Sequence, residues 1–531
     1  MGRKLAIFDS TLRDGAQAQG ISFSVEDKIK ILKALDDLGI GYIEAGNPGS
    51  NPKDLEFFER LKDMRLASAR LCAFGSTRRK GIAPSDDANV QSMLRAGTGT
   101  VVVFGKSWNF HVTEIIHASL DENLAMIRDT IAFFKSQGKE AIFDAEHFFD
   151  GYKADPAYAI ECCRAAIEGG AFNVTLCDTN GGSFPDECAS ITKAVVEALP
   201  GASIGIHTHN DGGMAVANAV SAVLAGADMV QGTFVGFGER CGNANLSTII
   251  ANLQLKRGFK ALAPEKIVEL TQAARLVAEI ANIPLDDFMP YVGKHCFSHK
   301  GGMHIDAVLK NPKSFEHVDP ELVGNQRSFL MSEVAGKSTI LAKVRKIKPD
   351  LEKDSPETQA LIDKVKAMEH EGYKFEGADA TFELMTRRQL RMYSPFFELV
   401  SFKTIGEHPS AEGSGTCAQA IIKIRVGDRT EISAAEGDGP VNALDKALRK
   451  ALEVFYPELA GMHLVDYKVR VLDSKDASAA KVRVLIESAD AEDSWSTVGV
   501  STDIIEASWL ALIDSIEYKL IRNRETAAKA V

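Results

Sequence analysis

The sequence predicts a (β/α)8 barrel followed by a helical connector and a small α+β domain. Three observations lead there. From residue 5 to about residue 255, short apolar runs alternate with amphipathic helical stretches, the pattern of successive βα units around a parallel sheet. Eight such runs fit within roughly 250 residues, a better match to one closed barrel than to a doubly wound sheet. The chain of 531 residues also exceeds what one hydrophobic core organises, so at least one further domain is expected.

The strand candidates are residues 5–8, 41–44, 70–74, 100–104, 141–145, 173–177, 203–207 and 229–232. Each is followed by a helical segment. In the first, residues 24–38, Ser24 and Asp27 form a capping-box start, and Ile29, Leu32, Leu35 and Leu38 recur at helical spacing. The barrel domain is assigned to residues 1–283. Residues 284–394 read as helical connector subdomains, with helical patterns broken by Pro290, Gly293, Gly301-Gly302, Pro312 and Pro320, and a charged run near 348–357. Residues 395–531 read as a C-terminal α+β domain. A strand at 420–426, a Gly-rich turn and a helix at 441–455 are echoed by strands at 480–487 and 495–500 and a helix at 504–520, a weak duplication.

Composition narrows the class. An apolar fraction of 45% and a charged fraction of 25% are those of an ordinary globular enzyme. With 61 basic and 73 acidic residues the net charge is −12, which argues against broad attraction to nucleic acid or to anionic lipid. The eight cysteines show no CxxC spacing, so neither a zinc ribbon nor a disulfide framework is indicated. Reduced cytoplasm fits that usage. The chain runs from Met1 into Leu5-Ala6-Ile7-Phe8 with no signal-peptide pattern, and no apolar stretch reaches the length of a membrane span. A cytoplasmic protein without membrane or nucleic-acid partners is expected.

Barrel chemistry sits at the C-terminal ends of the strands. The seventh strand ends in Ile206-His207-Thr208-His209-Asn210-Asp211, and side chains at i and i+2 share a face, so both imidazoles can converge on one ion while Thr208 points away. The first strand leads into Asp9-Ser10-Thr11-Leu12-Arg13-Asp14-Gly15. In a closed barrel the eighth strand lies between the seventh and the first, which brings Asp14 and Gly238-Glu239-Arg240-Cys241-Gly242-Asn243 to the same rim. Two neutral nitrogens with carboxylate and amide oxygens suit Zn, Mn, Co or Mg as the divalent ion. An isolated HxH pair is more often two hydrogen-bonded structural histidines; the strand-end position and Asp14 reverse that preference.

The three segments together resemble the DRE-TIM metallolyase superfamily, and within it the acyl-CoA-condensing branch of isopropylmalate, homocitrate and citramalate synthases. The resemblance spans nearly the whole chain. The segments Phe74-Gly75-Ser76-Thr77-Arg78-Arg79, Phe104-Gly105-Lys106-Ser107-Trp108, Asp144-Ala145-Glu146-His147-Phe148-Phe149-Asp150-Gly151 and Cys177-Asp178-Thr179-Asn180-Gly181-Gly182 are most similar to citramalate synthases. The resemblance implies pyruvate and acetyl-CoA as substrates, a Claisen-type condensation, and thioester hydrolysis. It implies Asp14, His207 and His209 as metal ligands, with Asn243 a fourth ligand or close neighbour. It places Arg13 on the keto oxygen, Glu146 and Thr179 on the keto acid, and Glu44 behind Arg13 or a water on the metal.

In this branch a connector histidine acts as base, and Gly301-Gly302-Met303-His304-Ile305-Asp306 aligns His304 with it, with His299 as rival. The tyrosine that accompanies this histidine in relatives is Phe315 here. Arg78-Arg79-Lys80 or Lys106 could meet CoA phosphates, although an exposed basic triplet is more often a solvated loop. The C-terminal domain resembles the branch's regulatory domain, with Ala434-Ala435-Glu436-Gly437-Asp438-Gly439-Pro440 its most recognisable segment. This implies a homodimer with isoleucine as feedback inhibitor. Gly437 and Gly439 could expose backbone amides to a carboxylate, or simply serve a tight turn. Other activities compatible with the sequence are isopropylmalate or homocitrate synthesis, an acyl-CoA lyase on the same scaffold, and a non-catalytic amino-acid sensor.

Overall fold

The computed structural model describes residues 2–62, 64–329, 337–352, 355–375, 377–407, 417–472, 480–490 and 493–529. Residues 353 and 354 of the charged run near 348–357 lie outside them. The chain forms two compact units, Met1–Phe297 with His317–Arg327, and Ser298–Glu316 with Ser328–Val531. Among the described residues no helix is long and apolar enough to cross a membrane.

The first unit is a closed eight-stranded parallel barrel in sequential order. Its strands are β1 (Ala6–Asp9), β2 (Tyr42–Glu44), β3 (Arg70–Ser76), β4 (Thr100–Lys106), β5 (Glu140–Glu146), β6 (Asn173–Asp178), β7 (Ile204–Thr208) and β8 (Met229–Gly232). All eight coincide with predicted runs. Closure is made by β1 against β8, with Ala6 opposite Met229 and Asp9 opposite Gly232. The crossover helices form because their ends are marked. Ser24 and Asp27 make a reciprocal capping box at Val25–Leu38, and Gly39 ends that helix at φ 98°, a left-handed position that costs glycine nothing. The faces of these helices bury Ile31, Leu32, Leu35, Ile127, Ile131 and Val195 against the outside of the strands. A separate interior cluster of Phe8, Tyr42, Cys72, Val102, Ile142 and Met229 fills the lumen, so the barrel is a packed core.

The second unit begins with a short parallel ladder, β9 (Ser298–His299) against β10 (Ser328–Phe329), which flanks the helix Gly302–Lys310. The helices Lys337–Val344, Pro356–Glu371 and Asp379–Gln389 gather around Leu341, Leu361, Val365, Phe375 and Phe382. Then come two antiparallel sheets, β11 (Glu398–Glu407), β12 (Cys417–Val426) and β13 (Arg429–Gly437), and β14 (His463–Val471), β15 (Val482–Ala489) and β16 (Ser494–Ser501). Each sheet is followed by one helix, Pro440–Leu452 and Ile504–Lys529. The predicted duplication is thus two β-β-β-α repeats, which share one core containing Ile422, Leu444, Leu448, Ile486, Trp495 and Trp509.

Candidate active site

The rim residues named from sequence converge in the first unit. His207 ends β7 and His209 follows it, while the Thr208 hydroxyl turns away to donate to the Ala215 carbonyl at 2.9 Å. The two imidazoles meet with Nε2 atoms 3.2 Å apart, and His207 Nε2 lies 3.7 Å from Asp14 Oδ2. Ligand nitrogens on a tetrahedral Zn2+ stand about 3.3 Å apart, so the spacing fits a shared ion. Asp14 is held by a turn built on Asp9, which accepts from Thr11 N and Thr11 Oγ1, both at 2.9 Å. Asn243 bridges to His209 and donates through Nδ2 to Asp14 Oδ1 at 3.0 Å. Its Oδ1 is buried with no hydrogen-bond partner, the kind of orphaned oxygen that a fourth ligand position would satisfy. Burial would raise the Asp14 carboxyl, but Arg13 and the two histidines outweigh it and hold it down to about 2. Burial pushes His207 down to about 3 and lowers His209, so the cluster consists of two neutral imidazoles and one carboxylate. That is a donor set for a divalent cation.

Arg13 is locked beside it. Its Nε donates to Glu44 Oε2 at 2.6 Å, its Nη1 donates to Asp14 Oδ2 at 3.1 Å, and the guanidinium lies 3.8 Å from the centroid of the Phe74 ring. Glu44 is fully buried; burial raises its carboxyl to about 6 despite Arg13. Only one Glu44 oxygen is used, and Oε1 has no partner.

A cavity of about 240 Å3 opens on this group, walled among others by Arg13, Asp144, Glu146, Thr179, His207 and His209. Glu146 is paired with Lys106. Thr179 Oγ1 accepts from His147 N at 2.9 Å, so its own hydrogen is free to donate. His147 sits at φ 56°, a left-handed conformation unusual for a residue with a side chain, with its ring packed on His111 at 4.2 Å.

Other sequence candidates are placed differently. Arg78 is buried and committed to Glu122 and Asp129 at 2.8 Å each, Arg79 pairs with Asp87, and Lys80 donates to the His117 carbonyl. The basic triplet is therefore not a free phosphate-binding loop. His304 and His299 belong to the second unit. His304 stacks on Phe315 with centroids 4.1 Å apart, and His299 pairs with Glu316 at 3.0 Å. A Cβ at Gly437 would meet Ala443 N at 2.5 Å, so the tight strand-to-helix turn by itself requires that glycine.

Comparison with known proteins follows this geometry. A family model described as HMGL-like matches residues 4–277, one for a homocitrate synthase post-HMGL domain matches 291–373, and one for the LeuA allosteric (dimerisation) domain matches 376–520. The (R)-citramalate synthase of Aquifex aeolicus is 50% identical over 525 residues, covering 99% of both chains. The chain belongs to the (R)-citramalate synthase family. The synthase of Geobacter sulfurreducens is 48% identical over 98% of each chain, and the 2-isopropylmalate synthase of Methanocaldococcus jannaschii is 29% identical over 98% of this chain and 96% of its own.

In this member of the citramalate synthase family the sequence reading missed three supports of the site. Asp144 lines the cavity, and burial raises its carboxyl to about 8. Gln231 donates to it at 2.8 Å. Arg240, at φ 55°, braces the rim by holding both Asp211 oxygens and the Thr179 carbonyl. For Asp144 and Gln231 the available signal was a polar residue inside an otherwise apolar strand.

Proposed function

We propose that this chain is a cytoplasmic (R)-citramalate synthase that joins pyruvate to acetyl-CoA and hydrolyses the thioester. The observation that carries the reading is Arg13, fixed by Glu44 beside the Asp14, His207 and His209 cluster at the mouth of a cavity sized for a small keto acid. In this reading Asp14, His207 and His209, with Asn243 as fourth ligand or neighbour, hold a divalent ion, Zn2+, Mn2+, Co2+ or Mg2+. When bound, that ion polarises the keto oxygen of pyruvate. Arg13 donates to the same oxygen as negative charge develops there, and Glu44 keeps the guanidinium aimed. Thr179 donates its free hydrogen to the keto acid, and Glu146, its charge balanced by Lys106, contacts the substrate opposite.

His304 is the proposed base that takes the proton from the acetyl methyl group; Phe315 beside it has no hydroxyl to share that proton. The resulting carbanion forms a bond to the keto carbon, whose π pair moves onto oxygen and is protonated. Water then adds to the thioester carbonyl and coenzyme A leaves as the thiol. Residues 1–283 carry the rest of this chemistry, 284–394 connect and supply His304, and 395–531 form a homodimerising domain through which isoleucine inhibits.

Thiol release from acetyl-CoA tests the reading, with pyruvate, 2-oxoisovalerate and 2-oxoglutarate in parallel and with or without a chelator. Pyruvate-dependent, chelator-sensitive release is expected. Preference for either longer keto acid moves the activity to isopropylmalate or homocitrate synthesis. Cleavage of citramalyl-CoA without condensation indicates a lyase, and isoleucine binding without turnover a sensor.

A further inference from the structure

Six non-glycine residues among those described hold a positive φ, a backbone conformation that a Cβ makes costly. His117, Asn282 and Arg391 lie just past the ends of helices, where a left-handed residue commonly closes the last turn. Tyr291 is packed in the core. His147 and Arg240 have neither setting. His147, at φ 56° and ψ 34°, opens the helix Phe148–Ala154, a position where extended backbone is usual, and Arg240, at φ 55°, sits in the loop after β8. Both donate to Thr179. The His147 amide reaches Thr179 Oγ1 at 2.9 Å, and Arg240 Nη2 reaches the Thr179 carbonyl oxygen at 2.7 Å.

In each case the side chain offsets what the backbone costs. The His147 ring packs on His111 with centroids 4.2 Å apart, and its Nδ1 lies 3.4 Å from Asp150 Oδ2. Asp150 Oδ2 also accepts from Asn180 Nδ2 at 3.0 Å, which ties down the residue after Thr179. The carbonyl of the same peptide unit, on Glu146, accepts from Ser107 N at 3.2 Å and from Ser107 Oγ at 2.7 Å. The Glu146–His147 peptide is therefore fixed at both of its polar ends, between the end of β4 and the loop after β6. Arg240 holds Asp211 Oδ1 through Nε at 2.8 Å and Oδ2 through Nη2 at 2.9 Å, a planar fork that leaves the guanidinium one orientation. Backbone strain persists where the surroundings over-determine it, and it collects at ligand clamps. Thr179 is the point where two such residues meet, and it lines the cavity. A mobile threonine loses rotational freedom each time a ligand binds, whereas one held in this way has already lost it on folding.

We propose that His147 and Arg240 are positioning residues that clamp Thr179 from two sides and hold its hydroxyl oriented for the keto acid. His147 acts through its backbone, and its ring serves to keep that amide turned toward Thr179. Arg240 acts through its side chain, anchored on Asp211. The inference rests on Thr179 contacting the keto acid, as proposed above, and its test keeps the two apart.

Pyruvate KM and kcat for thiol release are measured on full-length variants at saturating acetyl-CoA, beside hydrogen exchange over residues 146–149 by mass spectrometry. Thr179→Val, which removes the hydroxyl, should raise the pyruvate KM about 3–10-fold. His147→Ala keeps the strained φ without the ring that holds it. It should raise KM by a similar factor, leave kcat within about 3-fold, and quicken exchange. His147→Gly also loses the ring but adopts the same φ without a steric penalty, so it should recover most of the affinity and most of the protection. Arg240→Lys, which cannot grip Asp211 and Thr179 together, should raise KM several-fold. Residues that only stabilise the fold would shift the melting temperature in these variants and leave KM where it is. If His147→Ala does not fold, Asp150→Ala releases the same ring and takes its place. A wild-type KM in His147→Ala while Thr179→Val raises it overturns the inference, as does a His147→Gly no better than His147→Ala. A wild-type KM in Thr179→Val overturns the keto-acid contact instead; faster exchange in His147→Ala than in His147→Gly then supports the clamp, and equal exchange overturns it.

Discussion

The two sides of the barrel lumen are built on opposite terms. Strands β1 to β4 contribute Phe8, Tyr42, Cys72 and Val102 to a largely apolar layer, in which the Tyr42 hydroxyl accepts from Arg70 at 3.4 Å and Glu44 is the buried acid at the rim. Strands β5 to β8 add Ile142 and Met229 to that layer but also bury Asp144, Asn173, Thr175 and Gln231. Buried apolar area stabilises roughly in proportion to its extent, about 25 cal/mol per Å2. A buried polar group gains little net free energy when bonded and costs about 1–3 kcal/mol when not. The apolar side therefore holds the barrel together, while the polar side contributes direction: Asn173, Thr175, Gln231 and Asp144 are joined by hydrogen bonds that end at the cavity.

This contrast can be broken at several points. The largest effect is expected at the rim above both sides. Arg13→Lys keeps the charge but loses the planar fork, and kcat for thiol release should fall about 10²–10³-fold while the thermal unfolding curve stays in place. Next is the apolar side, where Phe8→Ala should cost about 3–5 kcal/mol by urea unfolding yet leave turnover per folded molecule near normal. A loss of activity at undiminished stability there would erase the division of labour. On the polar side, Thr175→Val keeps the shape but strips bonds from Asn173 and Gln231, and should cost about 1–3 kcal/mol by urea unfolding.

The smallest effect separates the sides by pH. Asp144, with an ordinary carboxyl near about 4, is raised to about 8 by burial, so between those values the folded protein holds a proton that the unfolded chain has released. Its contribution is therefore fully present below about pH 4 and is lost as the pH rises toward about 8. Asp14, held down to about 2, does the reverse and loses its contribution as the pH falls below about 4. Melting temperatures of the metal-free protein should decline from pH 5 to pH 8, and Asp144→Asn should flatten that slope. An unchanged slope would mean that Asp144 is ionised in the fold.

The barrel was legible because its strands are buried on both faces and read as unbroken apolar runs, as at Val101-Val102-Val103. The Asp14, His207 and His209 cluster was legible because HxH at a strand end fixes a common face, and closure brings Asp14 alongside. What escaped were features that need register. Asn173, Thr175 and Gln231 look like stray polar residues until β6, β7 and β8 are aligned, and Gly205 looks like an ordinary strand glycine until its neighbour across β6 is known. Edge strands such as β14 were also missed: His463-Leu464-Val465-Asp466-Tyr467-Lys468 mixes charge with apolar residues because much of the strand is exposed. The Arg78 triplet misled in the opposite direction. Its basic residues suggested a surface loop, whereas Arg78 is spent inside on two carboxylates.

Barrel closure also sets a timetable. The Phe234 amide donates to Thr11 across 223 residues of chain, and β1 acquires its second neighbour only when β8 has been made. At ordinary translation speeds that interval is roughly 10–45 s. Throughout it the first strand exposes an open edge and apolar faces, so the nascent chain passes through a vulnerable period that the finished enzyme no longer betrays.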